Sequence, residues 1–79
     1  MTWLGNRRRK VAHVGPLELR VEHDSWGVSW CVDEDNLRIS LRFGRSHGPD
    51  AIRAAQAAAV EAARSILFGW LEELKGVTK

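Results

Sequence analysis

Three histidines, one cysteine and ten carboxylates hold most of this chain's capacity for chemistry. His23 ends one strand-like stretch and His47 follows another, with Asp24 and Asp50 beside them. Two imidazoles and a carboxylate are a donor set for a transition metal, yet no close ligand spacing such as His-x-x-x-His accompanies them, and His13 stands apart. Strand alternation places Cys31 and His23 on opposite faces, which leaves the thiol without a neighbouring base. Glu18 and Glu22 are predicted to face Arg38 and Arg42 rather than each other, so no acid–base couple arises. The glycines are scattered, with neither a phosphate loop nor a dinucleotide fingerprint. The expectation is a non-enzymatic chain with no catalytic, metal or cofactor site.

The other chemistry is electrostatic. Arg7, Arg8, Arg9 and Lys10 form one basic run, the candidate for contact with nucleic acid, because phosphate binding needs clustered Arg and Lys. The helix predicted further on carries Arg53, Arg64 and Lys75 against four acids, so it is a poor groove reader. The run is expected at the same end of the sheet as Asp33-Glu34-Asp35, whose charges would neutralise it. A surface tether is the competing reading.

The elements that position these groups follow from periodicity. From Leu17 the alternation is strict: Leu17, Leu19, Val21 and His23 share one face, and Glu18, Arg20 and Glu22 the other. Trp26, Val28, Trp30 and Val32 form the apolar face of a second strand, and Leu37, Ile39, Leu41 and Phe43 that of a third. A two-residue turn at Asp24-Ser25 and a loop at 33–36 would pair Val21 with Val28, Val32 with Leu37 and Trp26 with Phe43. The polar face then reads Glu18–Cys31–Arg38, Arg20–Ser29–Ser40 and Glu22–Gly27–Arg42. Such a face is either a solvated surface laced with weak charge pairs or a shallow docking floor with small residues at its centre.

Gly48-Pro49-Asp50 has the composition of a helix start and Gly76 of a stop. The span, about 49–75, has an apolar stripe at Ile52, Ala55, Ala59, Ala63, Ile66, Trp70 and Leu74, flanked by Val60, Leu67 and Leu71. Alanine in its first half permits close approach to the sheet, with Trp26, Trp30 and Phe43 beneath. At roughly 40 Å the helix outruns strands of about 23 Å. It must overhang or break at Gly69, and Trp3, Leu4, Val11 and Val14 are the candidate cover for its bulky second half. Phe68 falls with Arg64 and Glu72 on the polar side, either as a lone exposed ring or as a partner contact.

The 79 residues allow one domain with a thin core, burying about 60–65% of the extended surface. Hydrophobic and charged fractions of 44% and 28% are those of a globular chain. A net charge of +2 is a weak bias, and one cysteine excludes an intrachain disulfide. No apolar run approaches the ~20 residues of a membrane span, and no apolar segment follows the basic residues as in a signal peptide. A cytoplasmic location is expected.

The combined reading is α+β: an N-terminal arm at 1–16, then a three-stranded antiparallel meander (about 17–23, 26–32 and 37–43) on one long C-terminal helix (about 49–75). Trp26-Gly27-Val28-Ser29-Trp30 and the helix from Ala54 to Arg64 resemble, at the level of the fold, small phage-encoded accessory proteins, including anti-CRISPR inhibitors of host defence. That resemblance implies binding and blocking of a host complex rather than catalysis. Candidate partner residues are Phe68, Arg64, Glu72, Arg38, Arg42, Glu18 and Glu22. A nucleic-acid-binding accessory protein using Arg7 to Lys10 is the alternative, and an antitoxin-like or structural homodimer a further one.

Overall fold

Where the sequence alternates, the chain pairs, and where glycine interrupts, it turns. The computed structural model describes residues 2–34 and 39–77. Among them the order is β1 (Leu4–Gly5), β2 (Arg9–Val14), β3 (Leu17–Asp24), β4 (Gly27–Glu34), β5 (Ile39–Ser46) and α1 (Ala51–Val77). The strands form one antiparallel sheet in the order β1-β2-β3-β4-β5, and α1 packs across β3, β4 and β5. The class is α+β, as expected, but three strands understate the sheet. Residues before Leu17 supply two more.

Those two strands depend on turns that composition alone does not separate from a loose arm. Gly15 takes φ 56 and opens the two-residue Gly15-Pro16 turn between β2 and β3, the left-handed first position that tight hairpins favour. The Gly-Pro pair therefore reverses the chain between β2 and β3. Between β1 and β2, the Asn6 side-chain oxygen accepts from the backbone N–H groups of Arg8 and Arg9 at 2.8 and 3.0 Å. Gly5 has φ 132, and a Cβ there would collide with the Arg9 carbonyl oxygen. The basic run is thus built into an ordered turn.

The β3–β4 turn is Ser25-Trp26, not Asp24-Ser25, so Val21 pairs with Trp30 and Leu19 with Val32. Gly27, at φ 139, closes this turn, and Asp24 caps it by accepting from the Trp26 N–H at 2.8 Å. The pairing moves by two residues relative to expectation. An even shift keeps the paired side chains of β3 and β4 on their predicted faces, although Trp26 passes into the turn, whereas a one-residue slip would invert them.

The third hairpin departs further. Val32 pairs with Arg42 and Trp30 with Gly44, while Asp33 pairs with Ser40, so Leu41 is an extra residue in a β-bulge. The bulge changes the parity of β5. Leu41 still packs on the core, but Phe43 pairs with Cys31 on the other face. Trp30 explains the choice of Gly44: a Cβ at that position would meet the indole at 2.6 Å. The large ring lies over the one residue that leaves it room.

Ala51, Ala55, Ala59 and Ala63 of α1 are buried against Leu17, Leu19, Val21, Val28, Val32 and Ala12. Trp3 and Trp30 pack against both parts of this core. Trp26 and Phe43, expected beneath the helix, are instead among the most exposed large side chains. Ala51 follows Asp50 as the first helical residue, and α1 runs through Gly69 without interruption to Val77, 27 residues in all. No helix among the described residues is long and apolar enough to cross a membrane.

Candidate interaction surfaces

Because α1 covers one side of the sheet, the strand register dictates what the other side presents. Its central row is Leu4–Val11–Arg20–Cys31–Phe43, crossing all five strands. Arg9–Glu22–Ser29–Arg45 lies on one flank and His13–Glu18–Asp33–Ser40 on the other. Leu4 and Phe43 end the central row with 68% and 78% of their surface exposed. Arg20, Glu22, Ser29, Cys31, Phe43 and Arg45 line a shallow depression of about 530 Å³.

One polar group on this face is held firmly. Asp33, nearly buried, accepts from Arg20 Nη2 at 2.6 Å and from Ser40 Oγ at 2.8 Å. The hydrogen bond to Asp33 raises the Arg20 pKa, against the opposing effect of burial. Arg20 Nε is buried with no partner, so the guanidinium is anchored by one edge. Burial is also the main reason the Cys31 thiol is pushed up, with the Asp33 charge adding to it. A thiol less ionised than usual is a weak nucleophile.

The predicted polar rows therefore need correction. Glu18 faces His13 and Asp33, and Glu22 faces Arg9 and Ser29. Arg42 lies opposite Val32, donates to the Leu41 carbonyl at 3.2 Å, and is three residue pairs along the ladder from the Glu22–Ser29–Arg45 row. Arg38 falls outside the described residues. Glu22 instead faces Arg9 of β2, a strand the three-strand reading does not contain, and Arg20 of β3 reaches Asp33.

A second surface occupies one end of the sheet. Arg7 and Arg8, in the β1–β2 turn, and Arg9, at the start of β2, are exposed, and the Arg8 carbonyl accepts from the His23 N–H at 2.7 Å. Arg8, His23, Asp24 and Ser25 border a hollow of about 330 Å³, with Trp26 exposed in the same β3–β4 turn. Arg45 donates to both Asp24 carboxylate oxygens, at 2.7 and 2.9 Å. The Trp26 N–H first, and then Arg45, hold the Asp24 carboxyl below its ordinary pKa. Asp33 and Glu34 end β4 at the opposite end of the sheet, so the expected neutralisation of the basic run by those two acids does not occur. Lys10 departs from the run: it pairs with Val21 on the helix side.

The third surface is the far half of α1. Phe68, Leu71 and Leu74 are 60%, 49% and 62% exposed, beyond the buried alanines. Val14, Leu19, Val60, Ala63, Leu67 and Leu71 form most of an apolar groove of about 450 Å³ that opens beside Phe68 and Arg64. Arg64 pairs with Glu61 at 3.1 Å and Lys75 with Glu72 at 3.5 Å, all four exposed. Of the expected cover, Trp3 and Val14 pack on the core, whereas Leu4 and Val11 face the other way.

Among the described residues, no three His, Cys, Asp or Glu side chains are grouped as a metal site would need. Comparison with protein-family models, curated protein sequences and solved structures returns no match to this chain.

Proposed function

We propose that this chain is a non-enzymatic protein-binding module that docks on a larger complex through the open face of its sheet. The observation that carries this reading is the row Leu4–Val11–Arg20–Cys31–Phe43, with its two exposed apolar ends and anchored arginine on a face the helix leaves bare. Interfaces favour aromatic and arginine anchors, and the Asp33 pair fixes the Arg20 side chain in advance, which lowers the entropy cost of using it. The resemblance to small phage-encoded inhibitors makes a host defence complex in the cytoplasm the proposed target, blocked by occupation rather than by chemistry. In a pull-down from host lysate, one complex should be retained by the wild-type chain and by Phe68→Asp but lost with Phe43→Asp. Equal retention by Phe43→Asp would place the docking surface elsewhere and overturn this assignment.

A second reading has its own observation. The Asn6-capped turn holds Arg7, Arg8 and Arg9 at the end of the sheet that also exposes Trp26, far from Asp33 and Glu34. Arginine beside an exposed aromatic ring suits a single-stranded nucleic acid, since phosphates and stacked bases can be engaged together. Binding of a short single strand should weaken as salt rises and disappear when Arg7, Arg8 and Arg9 are all replaced by Ala. No binding by the wild-type chain at low salt eliminates this reading.

A further inference from the structure

The exposed side of α1 carries a pattern that neither surface above uses. Glu61, Arg64, Phe68, Glu72 and Lys75 are all exposed and fall on one stripe of the helix. That stripe points away from the sheet, because the buried Ala55, Ala59 and Ala63 occupy the opposite side of the cylinder. Counted outward from Phe68, arginine and glutamate stand four residues away on either side, and glutamate and lysine seven residues away. The signs run minus, plus, neutral, minus, plus.

This arrangement is antisymmetric about Phe68, and a two-fold axis turns it into a match. We infer that two copies of the chain associate through α1, the helices antiparallel and the axis passing beside Phe68. Each Arg64 then faces Glu72 of the second copy, each Glu61 faces its Lys75, and the two Phe68 rings meet at the axis. All four cross-pairs are satisfied at once, the self-complementarity that a two-fold interface requires. A parallel, in-register pair would instead set every charge against its own like.

The intrachain pairs Glu61–Arg64 and Glu72–Lys75 need not break. Brought together about the axis, they form alternating clusters of four charges. Exposed pairs contribute little affinity each, so their role is register and orientation. Affinity comes from Phe68 and Leu71, which stand beside the apolar groove bordered by Val60 and Leu67 and so place a ridge next to a hollow within one patch. Helix axes 8–10 Å apart leave each sheet on the outside of a four-layer stack. The dimer does not depend on the open-face reading, and it displays two open faces at once.

Sedimentation or light scattering tests this with two single variants, Arg64→Glu and Glu72→Arg. Wild type should show twice the 8.9 kDa mass of the chain. Each variant alone should be monomeric with an unchanged helical circular dichroism signal. The first would set two acids against each other at both inner cross-pairs, and the second two arginines. Mixing the two should restore the dimer, because every cross-pair is then like-for-like in size and again opposite in sign. A monomeric wild type at its solubility limit, dimers persisting in both single variants, or no association on mixing would each overturn the inference. Phe43→Asp should leave the dimer intact, so loss of host binding and loss of dimerisation remain separate results.

Discussion

The two halves of α1 obey different constraints although they form one unbroken helix. From Ala51 to Ala63 the inward positions are alanines pressed against the sheet. From Ile66 onward the apolar side chains are large, and Phe68, Leu71 and Leu74 extend past the strands into solvent. Small residues stand where the helix lies closest to the sheet; of the large ones, Ile66, Leu67 and Trp70 still pack on the core, while Phe68, Leu71 and Leu74 stay exposed. In the first half burial reports packing against this chain's own core. In the second, apolar surface without an intrachain partner is the mark of an interface.

The sharpest way to break that contrast is to enlarge the packed half. Ala59→Leu inserts a branched side chain where no space exists and should cost about 1–3 kcal/mol or more. For a chain of this size that is a fall of roughly 4–20 °C in Tm, measured by thermal unfolding. An unchanged melt would mean that the helix can withdraw from the sheet. The floor beneath the same half is tested next by Gly44→Ala, which sets a methyl 2.6 Å from the Trp30 ring. Displacing the indole should cost about 1–2 kcal/mol, with a blue or red shift in tryptophan emission.

The overhanging half should behave in the opposite way. Leu74→Ala is expected to change the chain's unfolding free energy by no more than about 0.5 kcal/mol. In hydrogen exchange, amides of residues 71–77 should exchange well before those of 55–63 at concentrations too low for dimerisation. Equal protection across Gly69 would show that the overhang has cover within the chain.

The smallest effect lies outside both halves, at Asp24. Its folded pKa is held low by the Trp26 N–H and Arg45, both of which favour the charged carboxylate. That contribution is complete above the ordinary carboxyl value and is lost as pH falls through the lowered folded value. Arg45→Ala should move the Asp24 titration, followed by NMR, back toward the ordinary value without removing the Trp26 component.

Much of this is legible in residue order. The alanine stripe, the helix and the faces of β3 and β4 follow from spacing, and the faces survive an error in turn position because the pairing moves by two. The strands at 4–5 and 9–14 are harder to read: β1 has two residues, and β2 begins inside the arginine run, where charge masks alternation. The open face suffers most, since its centre depends on Val11 opposite Arg20 and on Phe43 beside Cys31. A bulge is one unpaired residue, and no periodicity announces it. The fit of Trp30 over Gly44 is the physical signal, visible only once the two strands are side by side.

That bulge has another consequence. β5 is the sheet's long edge, eight residues with a neighbour on one side only. A straight edge of that length offers an uninterrupted comb of donors and acceptors to any passing strand, including the same strand of another molecule. The extra residue at Leu41 breaks the comb's spacing partway along, and Arg42 adds charge beside the break. Whatever this edge recruits, the break makes it a poor template for endless addition of its own kind.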